Sequence, residues 1–227
     1  MAKQTRVTLE LGPKGKRVVA VAPDWPGLER GAKTTEEAIE QLRTYLPRYA
    51  PVARLGGLGP EFDAVKGFRV VEQYPGTGST DFWGISFVSS SIDRKRMSVS
   101  ELDRELTLMR ACWLYFDDVR RRVSTEMRKG PRGGGRDRDP IVQHTLSTEQ
   151  KAFAKMIGVL TPDEALLTDS GLNAHRDAYC DAIRDYHSQG KSAGKVAKWP
   201  LRYLIRHTAF HTLDHAWEME DKDLTAQ

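Results

Sequence analysis

The sequence predicts an α+β protein: a small β-β-α domain at residues 1–92, here called the front segment, precedes an all-α four-helix bundle at residues 97–227, the helical segment. Two observations predict this class. In the front segment, short runs alternate apolar and polar side chains, as half-buried strands do. In the helical segment, apolar side chains recur at steps of three and four, as on one face of a helix. The polar run SSSIDRKRMSVS between them is a plausible linker.

Strands are predicted at several places in the front segment. RVTLEL at 6–11 and RVVAVA at 17–22 both alternate, and the Gly-Pro-Lys-Gly run between them is a turn signal, so the pair is predicted to form a hairpin. FRVVEQY at 68–74 is predicted to be a later strand. DFWGISFV at 81–88 is a further candidate strand.

A helix is predicted to follow the hairpin, beginning at Thr34 or Thr35 with glutamates that suit the positive end of its dipole. A short motif precedes and opens this helix; it consists of Pro23, Asp24, Pro26, Gly27, Gly31 and the helix start Thr35-Glu36-Glu37-Ala38. With these residues the front segment resembles the HicB-like fold, a small β-β-α module best known from antitoxins. A toxin-neutralising role is not expected, because the chain continues into a large helical segment and its sequence shows no helix-turn-helix or ribbon DNA-binding tail.

Four helices are predicted in the helical segment, an arrangement typical of a four-helix bundle. The first begins with the capping-box signature Ser-Val-Ser-Glu. The second begins with an Asp-Pro pair, in which proline takes the first helical position, and it ends at a glycine. The predicted spans are 98–123, 139–158, 172–187 and 199–221.

A cluster of basic residues spans the end of the first of these helices and the run that follows it. It is interpreted either as a solvated helix end and loop, or as a patch for an anionic ligand such as a cofactor carboxylate. Nucleic acid is disfavoured as a partner, because no aromatic residues are interleaved with the basic ones and the net charge is only +4. The cluster consists of Arg120, Arg121, Arg122, Arg128, Lys129, Arg132, Arg136 and Arg138.

Composition and cysteine use indicate a cytoplasmic protein. No stretch approaches the roughly 18 apolar residues that a membrane span needs, and the first residues lack the apolar core of a secretory signal. Cys112 and Cys180 lie in separate predicted helices without paired spacing, so no disulfide is expected. Because Cys112 belongs to an apolar stripe, we expect it to be buried and not to act as a nucleophile.

The last predicted helix carries three histidines on one stripe. His207, His211 and His215 are four residues apart, and each step of four rotates the side chain by only about 40°. The stripe lies within the apolar face, where imidazoles need partners. One partner for these imidazole nitrogens would be a metal ion that also binds a ligand from another helix. The alternative is ordinary hydrogen bonds to other groups in the core. The spacing suits two ligands of one metal ion.

The helical segment resembles the DinB-like superfamily, whose members include mycothiol- and bacillithiol-dependent transferases and metal-dependent maleylpyruvate isomerases. The family is a four-helix bundle with one histidine on the second helix and an H-x-x-x-H pair on the last. The matching runs are GGGRDRDP, DPIVQHTLSTEQKAFAKMIG and FHTLDHAWEMED, the last of which is similar to actinobacterial members. The resemblance implies His144, His211 and His215 as metal ligands, with His207 as the alternative to His215.

The resemblance also implies a chemistry. Three neutral nitrogen ligands leave a divalent ion with open positions; zinc is the ion expected for such ligands, and nickel, iron or copper are alternatives. The ion would activate a low-molecular-weight thiol such as mycothiol for attack on an electrophile. Arg132, Arg136 and Arg138 are the candidates to bind the carboxylate of the thiol cofactor. No side chain of the protein is predicted to be catalytic.

Two other functions and several side-chain roles stay open. The protein is alternatively a non-catalytic metal-binding stress-response or protein-interaction module that acts through the front segment, or a hydrolase that uses metal-bound hydroxide. His175 and His187 are expected to be structural or exposed. Asp214 and Glu218 are expected either to orient a ligand ring or to form outward salt bridges. DinB-like bundles often form dimers, so a homodimer is one candidate assembly, and the oligomeric state stays open.

Overall fold

The computed structural model describes residues 3–130, 135–189 and 199–225. Within these ranges a small mixed sheet and short helices form the front segment, and helices dominate the remainder, so the predicted α+β class is confirmed. Among these residues, no helix combines the length and the apolar character that crossing a bilayer requires.

The sheet has the strand order β3-β2-β1-β4. β1 (Lys3–Leu11) pairs antiparallel with β2 (Val18–Val21), which confirms the predicted hairpin. β2 pairs antiparallel with β3 (Glu29–Ala32), a strand that was not predicted because its sequence ERGA shows no alternation of apolar residues. β4 (Val65–Pro75) includes the strand predicted at 68–74 and runs parallel to β1.

Three helices connect β3 to β4. α1 (Thr35–Thr44) begins where predicted, and the side chain of Thr34 accepts a hydrogen bond from the N–H of Glu37. This contact satisfies one of the N–H groups that lack a partner inside the first turn. α2 (Leu46–Leu55) and α3 (Gly59–Asp63) follow, and neither was predicted.

Residues 81–88 do not form the predicted strand. They begin inside α4 (Gly78–Trp83), and Gly84 ends this helix in a left-handed conformation with φ of 68°. The backbone beyond it bonds to a side chain instead of a neighbouring strand, because the N–H of Phe87 donates to the carboxylate of Glu10. This run therefore forms the end of a helix and an irregular stretch instead of a strand.

The polar run between the two segments is packed against the last helix, α9 (Leu201–Lys222). It contains the short helix α5 (Ser91–Arg94), which has a capping box formed by Ser90 and Asp93. Asp93 also forms an ion pair with Arg206 of α9, at 2.8 Å between Oδ1 and Nε. The polar residues of this run therefore cap a helix and form buried ion pairs.

Helices occupy all four spans predicted for the helical segment. The second of them changes pitch: after α7 it continues as a π-helical turn at Glu149–Phe153 and a 3-10 turn at Ala154–Ile157, and it ends at Gly158 as predicted. A 3-10 helix at Asp163–Leu167 was not predicted. The four long helices are α6 (Val99–Arg122), α7 (Arg138–Thr148), α8 (Asp169–Gln189) and α9.

Two apolar clusters make up the core. One joins the segments, since it contains Leu9 of β1 together with Leu213 and Trp217 of α9. The other lies among the helices and contains Leu106, Phe153, Ile183 and Leu204. The division into two domains stays a prediction, although the first cluster shows that the front segment packs directly on α9.

Buried charges also join α9 to the front segment. The guanidinium of Arg206 is almost fully buried and binds Glu29 at 3.1 Å and Asp93 at 2.8 Å. A further N–H of Arg206 donates to the hydroxyl of Ser86, which itself donates to Glu10 at 2.7 Å. Burial raises the pKa of Glu29 to about 7, and Arg206 opposes this rise. Removing the guanidinium would therefore leave two buried carboxylates without their counter-ion.

We expect Arg206→Leu to lower the free energy of unfolding by about 3–5 kcal/mol, because a buried charge without its partner is strongly destabilising. Urea denaturation measures this loss. Arg184→Leu is the matched control: Arg184 pairs with Asp103, but the two side chains are 47% and 49% exposed. Its loss should stay within about 1 kcal/mol. Equal losses in the two variants would contradict the structural role of Arg206.

Candidate metal centre

The structure brings the three predicted metal ligands together. His211 and His215 lie one turn apart on α9, with ring centroids 4.7 Å apart. His144 lies on α7, and its ring centroid is 5.2 Å from that of His211 and 4.9 Å from that of His215. The ring of His144 is exposed and the other two residues are half-buried, so the cluster can be reached from solvent.

Backbone contacts place α7 beside α9. The carboxylate of Asp137, at the start of α7, accepts the N–H of Met127 at 3.0 Å. Met127 also forms an isolated antiparallel bridge with Asp223, directly after α9. The N–H of Arg128 donates to the carbonyl oxygen of Lys222 at 2.8 Å. The segment after α6 therefore contacts the start of α7 and the end of α9, which brings His144 to the other two histidines.

The spacing of the ring nitrogens fits a divalent metal ion. One nitrogen from each histidine lies within 4.8 Å of the other two. The Nε2 atoms of His144 and His211 are 3.3 Å apart. With metal–nitrogen bonds of about 2.0–2.1 Å and tetrahedral angles, two ligating nitrogens lie about 3.4 Å apart. The same distance also suits a hydrogen bond between two neutral imidazoles. The metal content of the protein therefore decides between a metal site and a direct hydrogen bond.

A buried carboxylate orients one of the rings. Oε2 of Glu218 is 2.8 Å from Nδ1 of His215, and its other oxygen accepts Nζ of Lys222 at 3.0 Å. Burial alone would raise the pKa of Glu218, but the hydrogen bonds from His215 and Lys222 lower it to about 2. The carboxylate therefore stays charged and accepts the Nδ1 proton. In a neutral ring that donates from Nδ1 in this way, Nε2 carries the lone pair and can bind a metal ion.

The environment disfavours the protonated form of His144 and His211, and metal binding requires the neutral form. Burial lowers the pKa of His211 well below its ordinary value, and the nearby His215 and His144 lower it further. Burial lowers the pKa of His144, and the proximity of His215 lowers it further. Both rings therefore have lone pairs available for a metal ion near neutral pH.

His207, the alternative ligand, lies outside the group formed by the other three histidines. Its ring stacks on Tyr203 at 5.3 Å between centroids and has edge contacts with Trp199 and Phe153 at 5.2 and 5.6 Å. Burial lowers its pKa to about 3. Within the described ranges, its Nδ1 atom has no hydrogen-bond partner. The geometry therefore favours His215 as the ligand.

Two of the three candidate arginines lie within the described residues. Nη2 of Arg136 is 3.3 Å from Oε2 of Glu218, which places its charge beside the histidine cluster. Arg138 pairs with its neighbour Asp139 at 2.8 Å. Arg132 lies outside the described residues. The proposed contact with a thiol carboxylate stays a prediction, and Arg136 is the candidate best placed for it.

The remaining histidines have structural contacts. Nδ1 of buried His175 is 2.7 Å from the hydroxyl of Thr161. Nε2 of His187 is 2.7 Å from the carbonyl oxygen of Met97. Lys222 was not predicted to be part of the site. The available signal was its position four residues after Glu218, which is the spacing of a helical ion pair.

Neither cysteine of the protein is suited to act as a nucleophile. Cys112 and Cys180 are both buried, which confirms the expectation for Cys112. Burial raises the pKa of the Cys180 thiol to about 11 and that of Cys112 further. Because the thiolate is the reactive form, a thiol-dependent reaction at this site requires an external thiol.

Comparison with known proteins adds no relative. The chain matches no protein-family model, and no curated protein or solved structure is detectably similar to it. The DinB-like and HicB-like resemblances therefore stay predictions. The case for the site depends on the three histidines and on Glu218.

We expect Glu218→Gln to weaken zinc binding by about 10–100-fold, because an uncharged amide holds the Nδ1–H of His215 less firmly than a carboxylate does. Competition with a chromophoric chelator measures the affinity. Glu220→Gln is the matched control on the same helix, since Glu220 contacts Tyr115 and Arg48 instead of a histidine. Unchanged affinity in Glu218→Gln would contradict the orienting role of this carboxylate.

Proposed function

We propose that the protein binds one divalent metal ion through His144, His211 and His215. The proposal is carried by one observation: three imidazole nitrogens on two helices lie within 4.8 Å of one another. Glu218 supports it, because a carboxylate at the far nitrogen is the usual partner of a ligating histidine. Zinc suits this donor set, and nickel or iron are accepted by the same ligands.

We further propose that the site activates a low-molecular-weight thiol, such as mycothiol, for transfer to an electrophile. A divalent ion with open positions supplies Lewis acidity, which lowers the pKa of a thiol at the site. The histidines hold the ion, and Glu218 sets the tautomer of His215. Arg136 adds positive charge that would attract an anionic group of the thiol. Because both cysteines of the protein are buried, the reacting sulfur is proposed to come from an external thiol.

The proposal also covers the two fold families, the cellular location and the host organism. Side chains from α6, from the 3-10 turn after α7, from α8 and from α9 share one apolar cluster, which supports a DinB-like four-helix bundle. The β1–β2 hairpin and the later α1 support a HicB-like front segment. A cytoplasmic location rests on composition and cysteine use, and a mycothiol-using actinobacterial host rests on the sequence resemblance.

Protein purified without affinity tag or chelator is expected to contain about one zinc ion per chain, since three histidines form one site. Elemental analysis measures it. His211→Ala is expected to lose the metal, and His187→Ala, which changes a histidine bonded to the Met97 carbonyl, is expected to keep it. A wild type that stays metal-free after incubation with zinc, nickel and iron would refute the metal site.

In cobalt-substituted protein, 3-mercaptopropionate is expected to produce a sulfur-to-cobalt charge-transfer band in the near ultraviolet. Arg136→Ala should weaken the binding of this carboxylate-bearing thiol and leave that of 2-mercaptoethanol unchanged, because only the former has an anionic group to attract. If cobalt binds and neither thiol nor mycothiol produces the band, the thiol chemistry is wrong and the metal site stands.

A further inference from the structure

Two neighbouring aromatic side chains are exposed at the end of α4. Phe82 is 73% exposed and Trp83 is 66% exposed. Their rings pack on each other edge to face, with centroids 4.7 Å apart. A single exposed apolar side chain is ordinary, but contiguous exposed apolar surface marks a place of interaction. Phe82 and Trp83 form such a surface and are here called the aromatic pair.

The turn between β1 and β2 is fixed beside the aromatic pair. Asp81, directly before the pair, accepts the backbone N–H groups of Lys14 at 2.7 Å and of Lys16 at 2.8 Å. It also accepts the N–H of Arg17 at 3.1 Å. A Cβ atom on Gly12 would overlap Oδ1 of Asp81, so this close approach of the carboxylate requires glycine. The turn and the end of α4 are therefore joined by one carboxylate.

This turn carries three cationic side chains, those of Lys14, Lys16 and Arg17, here called the basic turn. The first two are exposed and the third is half-buried. The side chain of Arg17 lies against Gly84, the residue after the aromatic pair, since a Cβ atom on Gly84 would be 3.7 Å from its Cδ. Among the residues that the structure describes, none of the three side chains forms an ion pair. Positive charge therefore lies next to exposed apolar surface.

This combination matches the chemistry of an anionic membrane surface. Trp and Phe side chains favour the headgroup level of a bilayer, where an apolar ring leaves water. Lys and Arg side chains are attracted to anionic lipids when they lie within a Debye length of the leaflet. A single-stranded nucleic acid suits the surface less well. It stacks its bases on free ring faces, whereas these two rings pack on each other.

We propose that the aromatic pair and the basic turn together bind the surface of a membrane that contains anionic lipids. The aromatic pair would enter the headgroup region, and the basic turn would contact the lipid phosphates. Asp81 would keep the two parts in a fixed relative position, because it holds the turn through three backbone N–H groups. This inference goes beyond the proposed metal chemistry and does not rest on it.

Co-sedimentation of the full-length protein with lipid vesicles tests the proposal. We expect binding to vesicles made of phosphatidylglycerol and phosphatidylcholine in equal parts. Binding to vesicles of phosphatidylcholine alone should be weaker by about tenfold or more, because the attraction between the basic turn and anionic lipid is absent. Added salt should weaken binding to the anionic vesicles, because it screens exposed charges.

The aromatic pair is tested by removing one ring at a time. Trp83→Ala and Phe82→Ala are each expected to weaken binding to the anionic vesicles by about tenfold, because each removes a ring that leaves water on binding. Leu160→Ala is the matched control, since Leu160 belongs to the helical segment and is 78% exposed. Its affinity should stay within about twofold of the wild type.

The basic turn is tested by removing one charge. Lys14→Gln is expected to weaken binding to the anionic vesicles by about fivefold. Arg121→Gln is the matched control, because Arg121 is also exposed but belongs to the basic cluster at the end of α6. A loss in Arg121→Gln without one in Lys14→Gln would place the membrane contact at that cluster and overturn the proposal.

Absence of binding to the anionic vesicles would overturn the proposal, and so would equal losses in Trp83→Ala and Leu160→Ala. Binding of a single-stranded RNA oligonucleotide instead of vesicles, weakened in Lys14→Gln, would assign the surface to nucleic acid and also overturn it. His211→Ala, which removes a proposed metal ligand, is expected to bind vesicles as the wild type does. This result separates the outcome for the membrane surface from the outcome for the metal site.

Discussion

The buried guanidinium of Arg206 is the contact on which the rest of the structure depends. It binds Glu29 of β3 and Asp93 of α5, so one side chain ties α9 to the sheet and to the run between the segments. A buried charge is tolerated only when it is paired, which makes the relative position of these three elements specific. His211 lies little more than one turn further along α9, so the same contact that docks the front segment also positions the histidine cluster.

The helical repeat of α9 places neighbouring residues on different surfaces of the protein. His211 and His215 face His144 on α7. Phe210, one residue before His211, lines a cavity between α9 and the front segment. Successive helical residues differ by about 100° in direction, so neighbouring positions serve different surfaces. Near its end, Glu218 and Lys222 return to the histidine side and hold the ring of His215. The front segment therefore contributes a cavity wall as well as packing.

The sequence predicted the features that follow from local periodicity. The histidine stripe was predictable because steps of four keep side chains on one helix face, and β1 because its residues alternate. β3 was missed because ERGA has no alternation. Residues 81–88 were misassigned because their backbone bonds to Glu10, a partner distant in sequence. Asp214 and Glu218 both lie within a turn of His215, so only the folded structure could separate their roles.

The central claim is that His144, His211 and His215 share one metal ion, and anomalous diffraction tests it most directly. Crystals of zinc-loaded protein, measured on both sides of the zinc absorption edge, should show one strong anomalous peak about 2.1 Å from one nitrogen of each of these histidines. A peak bound by His207 in place of His215 would contradict the ligand assignment. Fully loaded crystals with no peak near His144 would contradict the metal centre itself.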